Sequence, residues 1–263
     1  MASTSSTEQE AGSRRQETGG GRQEAEETCP ICKGLGYLRA DVPVGHPDFG
    51  KLVPCTCRLA ELAQQRVAAL RTLSDLEILA RMTFETFVSE GHGLLPDKRA
   101  NLRWAYEEAS TFAERPEGWL VLKGGYGCGK THLAAAIANA CVERGQPVLF
   151  ITVPDLLDHL RATFAPSSPT SYDARFEEIR TAPILILDDL GTESSTTWAQ
   201  EKLFQILNYR YNARLPTVIT TSKTMDEVDP RIRTRLLDQR RCVRLLIGAP
   251  SYRGALAQRG SRK

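Results

Sequence analysis

From about residue 82 onward, short apolar runs alternate with longer stretches in which apolar residues recur every three or four positions. Five of the runs have the length and flanks of buried strands: GWLVLK (118–123), PVLFIT (147–152), PILILDD (183–189), PTVITTS (216–222) and CVRLLI (242–247). Between them the spacing predicts helices over 97–114, 130–144, 154–164, 172–181, 197–214 and 231–238. In 197–214, Leu203, Phe204, Leu207 and Tyr211 share one stripe and are expected to face inward. Apolar strands separated by helices imply a mainly parallel sheet covered on both faces, an α/β architecture. No internal repeat is evident.

Upstream the pattern changes. Arg58 to about Arg81 reads as one helix, with Leu59, Leu62, Ala63, Leu70 and Leu73 on a stripe. MTFETFV (82–88) leads from it into the main domain, taken as 82–250. Residues 28–57 form a short unit rich in Gly and Pro and bounded by cysteines. Residues 1–27 are Ser, Thr, Glu, Gln, Gly and Arg with almost no apolar content; burial cannot offset their ordering entropy, so disorder is expected.

Composition narrows the class. With 263 residues, 41% of them apolar, the chain can fill one good-sized core plus an appendage. It has no run of about 18 apolar residues and no secretory h-region, so a cytoplasmic protein is expected, with no membrane partner. The net charge of +2 hides an asymmetry. From Arg231 to Lys263, nine Arg and one Lys face one acid, Asp238, which leaves +9 there and −7 in residues 1–230. Such an end, with 251–263 as a basic tail, suits an anionic partner or a solvated face.

The candidate chemistry sits at strand ends. Gly124-x4-Gly129-Lys130-Thr131 fits G-x-x-x-x-G-K-[ST], with a strand before and a helix after. Glycines let backbone N–H groups crowd around a phosphate, and the following helix points its positive end at the anion. Gly124, Gly125, Tyr126, Gly127, Cys128, Gly129, Lys130, Thr131 and His132 are the candidate contacts to ATP. Lys130 would reach the β- and γ-phosphates, and Thr131 would offer its hydroxyl to Mg²⁺. Ile184 to Asp189 is an apolar strand ending in two acids. Asp188 would hold Mg²⁺, and Asp189 stands where a carboxylate can polarise the attacking water. A chance glycine turn and an ordinary strand-end turn are the bland alternatives. The two motifs together form the Walker A and Walker B pair of a P-loop NTPase.

LILDDLGTESSTTWAQEKLFQILNYRYNARLPTVITT, with GGYGCGKTHLAAAIAN and MTFETF, resembles the DnaC/DnaI-type bacterial replicative helicase loaders. These are AAA+ ATPases with IstB, a transposition helper, as a relative. The resemblance covers about residues 82–247. It implies a sheet of order 5-1-4-3-2, ATP as the nucleotide, and a site shared between neighbouring subunits. It puts an arginine finger in DPRIRTRL, with Arg235 first and Arg231 and Arg233 as competitors. It assigns Arg253 to the phosphates. Phe84 and Phe87 then lie near adenine, with core packing the alternative. Where the family carries a sensor asparagine, this chain has Ser222, a shorter hydrogen-bonding group.

Cys29-x2-Cys32 and Cys55-x-Cys57 can converge four thiolates, which reads as a closed, structural zinc site. An iron–sulfur cluster is the lesser option, and His46 could replace one thiolate. A unit of this size needs such a staple to fold. By the resemblance, loaders place their partner-binding element ahead of the ATPase, so residues 28–80 are expected to bind the replicative DNA helicase.

Three functions fit: a loader that self-associates, grips single-stranded DNA and delivers a helicase; an IstB-like transposition helper; and an ATP-switched adaptor that hydrolyses weakly, which Ser222 leaves open. A small P-loop kinase would lack the DDLG strand and the arginine cluster.

Overall fold

The computed structural model describes residues 29–192 and 196–252. Contacts divide the chain into two units, one up to Ala60 and one from Glu61.

In the first unit, β1 (Tyr37–Arg39) and β2 (Leu52–Pro54) pair antiparallel, with Tyr37 opposite Pro54 and Arg39 opposite Leu52. This hairpin has no counterpart in the sequence reading, because three residues per strand are too few for a period-two signal. The helix α1 (Thr56–Leu73) begins directly after it.

The second unit holds α2 (Pro96–Glu114), β3 (Trp119–Gly124), α3 (Lys130–Glu143), β4 (Val148–Thr152), α4 (Val153–Ala162), α5 (Tyr172–Arg180), β5 (Ile184–Leu190), α6 (Thr197–Asn212), β6 (Thr217–Thr221), α7 (Pro230–Leu236) and β7 (Cys242–Ile247). The five strands β3–β7 pair in parallel in the order β4-β5-β6-β3-β7. Counted along the chain from β3, that is the 5-1-4-3-2 order the resemblance implies. Thr152, Ser171 and Thr196 cap α4, α5 and α6 by accepting the N–H of Asp155, Ala174 and Ala199. Each such cap is worth about 1 kcal/mol.

Alternation along β3 divides the core. Trp119 and Val121 face a layer with Leu156, Ile179, Leu203, Leu207 and Leu236, from α4 to α7. Leu120 and Leu122 face the other layer, with Leu102, Phe112, Leu133 and Ile137 from α2 and α3. Both faces of β3 to β6 are covered, so these strands read as continuous apolar runs, whereas the edge strand β7 leaves Val243 and Leu246 exposed.

The helix expected over 58–81 ends early, at Leu73. The reason lies at the sheet edge. The Ser74 hydroxyl donates to Phe150 O (3.1 Å) and accepts from Phe150 N (3.2 Å), and the Thr152 N–H reaches Asp75 Oδ2 (3.4 Å). β4 is an edge strand, and these side chains occupy backbone groups that would otherwise invite another strand. The stripe on α1 is also buried only in part: Leu70 and Leu73 are buried, whereas Leu59 and Leu62 are exposed. At the opposite edge Asn101 donates to Leu246 O and accepts from Gly248 N.

Arg210 is fully buried. Its guanidinium donates to Thr217 Oγ1, Arg180 O, Ala182 O and Pro216 O, joining the starts of β5 and β6. Among the described residues no helix is long and apolar enough to cross a membrane.

Candidate nucleotide cleft and cysteine cluster

The carboxyl ends of β3 and β5 open on a cleft of about 650 Å³ in the second unit. β3 ends at Gly124 and α3 begins at Lys130, so the five residues 125–129 of the glycine loop are the link between them. Gly127 (φ 73°) and Gly129 (φ 104°) take left-handed conformations that other residues avoid. The space is closed as well: a Cβ on Gly127 would stand 2.5 Å from Ser251 Oγ, and one on Gly129 2.9 Å from Phe87 Cε2. The N-terminus of α3 faces the cleft through Lys130 and Thr131, and its dipole favours an anion there.

Lys130 is buried, and its Nζ donates to Gly125 O at 2.8 Å. Thr131 Oγ1 donates to Asp188 Oδ2 (2.9 Å), and Thr220 Oγ1 donates to Asp188 Oδ1 (2.6 Å). Burial pushes the Asp188 carboxyl up and the neighbouring Asp189 charge adds to this; the Thr220 and Thr131 hydroxyls and Lys130 pull it back. Asp189 also lines the cleft, at a positive φ of 57°, where the β5–β6 register shifts between Leu187 and Leu190. A carboxylate and two hydroxyls of this kind, beside a buried ammonium, suit a phosphate chain with a hard divalent cation. Thr131 and Asp188 are the groups that could hold Mg²⁺.

The wall of the cleft comes from segments before and after the sheet. His132 Nε2 lies 3.0 Å from Thr83 O and 3.1 Å from Thr86 Oγ1, and Asn139 Nδ2 donates to Leu79 O and Met82 O. Burial lowers the His132 pKa, so a neutral ring donates to Thr83. Phe87 stacks on Tyr106 and covers Gly129 from the cleft side. Phe84 instead packs edge-on against Tyr106 within the core, the alternative weighed for it. His92 stacks on Tyr252 with ring centroids 5.1 Å apart, and Tyr252 N donates to Gly127 O (2.9 Å). Residues such as Met82, His92, Leu102, Ala249 and Tyr252 line this apolar end and escaped the sequence reading. They lie in two segments far apart in the chain, and only MTFETF hinted at one of them.

Gly124, Gly125 and Cys128 serve the loop. A Cβ on Gly124 would stand 2.8 Å from Ile247 O, Gly125 holds Lys130, and burial raises the Cys128 thiol. Tyr126 is exposed at the loop tip. Ser222 follows the end of β6 and is not among the described residues lining the cleft, whereas Thr220 stands at Asp188. The three finger candidates are on α7, away from this chain's own cleft. Arg231 is paired with Glu201 and Asp229, and Arg233 with Asp226. Arg235 bonds Asn208 and Arg231 O, with its guanidinium over Phe204. Arg253, the rest of the 251–263 tail after it and residues 1–27 lie outside the described residues.

In the first unit, the Sγ atoms of Cys29, Cys32, Cys55 and Cys57 all lie within 4.8 Å of one another. Left-handed Lys33, Gly34 and Gly36 turn the chain back after the first pair, and the Gly36 N–H donates to Cys32 Sγ at 3.2 Å. The backbone N–H groups of Cys32 and Ile31 lower the Cys29 thiol to about 6, while neighbouring Cys32 and Cys29 raise Cys57 to about 12. Four sulfurs converging at this spacing suit a divalent cation that takes them as thiolates. His46 is outside the cluster; its Nδ1 accepts from Asp48 N.

Comparison with known proteins agrees with this architecture. DnaC, the replicative helicase loader of Escherichia coli K12, is 30% identical over 140 residues, 52% of this chain and 57% of its own length. The chain thus matches a little over half of that relative. An insertion-sequence protein of Mycobacterium tuberculosis, described as ATP-binding, is 28% identical over 222 residues, 80% of this chain and 82% of its own. A crystal structure of the DnaC helicase loader superposes with a TM-score of 0.53 at 24% identity, covering 64% of this chain and 97% of that one. That likeness shows the fold, a parallel sheet in the order β4-β5-β6-β3-β7 flanked by helices. The sequence model of the IstB-like ATP-binding proteins matches residues 98–257. Since this match takes in the whole five-stranded sheet with the glycine loop and the acidic strand end, the chain belongs to the IstB-like ATP-binding protein family.

Proposed function

We propose that this chain is an ATP-hydrolysing helper that delivers a replicative helicase onto single-stranded DNA. The observation that carries the ATPase reading is the meeting of Lys130, Thr131, Asp188 and Asp189 in one cleft. Loop N–H groups and Lys130 would bind and orient the triphosphate. Mg²⁺, held by Thr131 and Asp188, would stabilise charge developing on the phosphoryl oxygens. Asp189 would orient the attacking water, and the ring of Phe87 with the apolar wall would take the base. Arg235 on α7 would complete the site of a neighbouring copy, which makes the nucleotide a signal of assembly.

The loader reading draws on DnaC among the relatives and on the four-cysteine unit as a zinc-stapled partner module, an iron–sulfur cluster being the lesser fit. For DNA, Phe164, Tyr172, Phe176 and Trp198 form a run of ring contacts, with Arg161, Lys202 and Arg180 over ring faces. Partly exposed rings interleaved with cations suit stacked bases and a phosphate backbone. The test is ATP turnover with and without single-stranded DNA, followed by capture of host proteins on the intact chain with ATP. DNA-stimulated turnover and recovery of the replicative helicase support the reading; recovery of a transposase alone replaces it.

A second reading, a transposition helper, is favoured by one observation: the insertion-sequence relative aligns over more of the chain than DnaC does.

A further inference from the structure

β5 and β6 run in register through Leu187 and Ile219, and again at Leu190 and Thr221. Between those points β5 has two residues, Asp188 and Asp189, and β6 has one, Thr220. This two-against-one count is a bulge, and a bulge leaves an N–H without its ladder carbonyl. Here the Asp189 N–H donates to Thr220 Oγ1 at 2.9 Å, and the same hydroxyl donates to Asp188 Oδ1 at 2.6 Å. Thr220 is fully buried. Its hydroxyl has one proton, and the Asp189 N–H occupies an acceptor position, so that proton must go to Asp188. Thr131 supplies the donor to the other Asp188 oxygen. Both acids of the strand end are therefore held by one hydroxyl from the neighbouring strand, and Asp189 can keep its left-handed turn into the cleft.

We infer that Thr220 is a positioning residue for phosphoryl transfer: it aims Asp188 at the metal side of the cleft and fixes Asp189 where water is activated. Only a hydroxyl can donate to one acid and accept from the backbone of the next. Valine has the same shape and does neither, and serine does both without the methyl group. Ser222, two residues on, lies outside the cleft and does not share this task.

The inference rests on the ATPase reading, and the experiment separates the two. Parent, Thr220→Val and Thr220→Ser chains are compared for binding of a fluorescent ATP analogue with and without Mg²⁺, for turnover, and for melting temperature. Thr220→Val should bind nucleotide like the parent without Mg²⁺. With Mg²⁺ it should lose the added affinity, and turnover should fall about tenfold to a hundredfold, the span of a lost hydrogen bond to a charged group. Thr220→Ser should restore at least half of both. If the parent hydrolyses and Thr220→Val keeps pace with it, the positioning role is lost and the ATPase reading stands. If Thr220→Ser is as impaired as Thr220→Val, or if Thr220→Ser alone folds and is inactive, the hydroxyl is not the agent and the inference fails. A parent chain without Mg²⁺-dependent turnover ends the ATPase reading and this inference with it.

Discussion

Thr131 Oγ1 donates to Asp188 Oδ2 at 2.9 Å, joining the first turn of α3 to the end of β5 across 57 residues. The contact links the phosphate loop to the candidate metal acid, so the two should fail differently. Asp188→Asn keeps the size and an acceptor oxygen but loses the charge. Nucleotide binding without Mg²⁺ should survive, and turnover should drop on the order of a hundredfold or more. Lys130→Ala should weaken nucleotide binding itself. Titration with a fluorescent ATP analogue and phosphate release distinguish these outcomes.

Gly127 in the loop and Gly45 in the cysteine unit separate backbone strain from close contact. Gly127→Ala meets both a positive φ and Ser251 Oγ at 2.5 Å. Gly45→Ala meets a positive φ of 98° in open space. Both variants should lose about 1 kcal/mol to backbone strain, but only Gly127→Ala should also lose nucleotide affinity. A Gly127→Ala chain with the parent's nucleotide affinity would show that neither the strain nor the Ser251 contact matters to the cleft.

His132 makes the cleft wall sensitive to acid. Burial holds its folded pKa below the ordinary 6.5. As pH falls through that value, the unfolded chain takes up the proton first, so stability should decrease below about pH 6.5 and be level above it on this account. Melting temperatures of the parent and His132→Gln between pH 5 and 8 check the sign. A His132→Gln chain with the parent's acid sensitivity would place its origin elsewhere.

The cysteine quartet should bind one divalent ion per chain. Cys29→Ser or Cys55→Ser should lose it, and the unit up to Ala60 should become open to protease, because its exposed hairpin buries little core. The second unit should keep its nucleotide binding. Metal analysis of the purified chain, read together with limited proteolysis, decides this, and iron with sulfide in place of zinc would change the ion and leave the fold argument intact.

Arg210 should be the least replaceable arginine. It stabilises three carbonyls and Thr217 Oγ1 at the starts of β5 and β6. Removing it by Arg210→Met leaves those buried acceptors unpaired, at a cost of about 3 kcal/mol or more. Denaturant midpoints measure it; a loss under about 1 kcal/mol would mean that water replaces the guanidinium.

Local patterns in the chain already carried much of this protein. β3 to β6 were legible because both faces of each are covered, which leaves unbroken apolar runs such as Ile184–Leu187; β7 was legible as a short apolar run although Val243 and Leu246 at the sheet edge are exposed. The glycine loop, the acid pair and the cysteine spacings were legible because each places its chemistry within a few residues. Contacts set by strand order and register were not legible. The helix over 58–81 stops at Leu73 because the next hydroxyl is captured by the edge of β4, a strand some 76 residues away. Phe84 and Phe87, three residues apart, both pack on Tyr106, but only Phe87 also reaches His132 of α3 and the cleft. Thr220, an ordinary strand residue by pattern, faces Asp188 because a bulge in the neighbouring strand shifts the register there, while Ser222 runs past the cleft. Periodicity reports which positions are buried; only the pairing of strands decides which buried hydroxyl meets which buried acid.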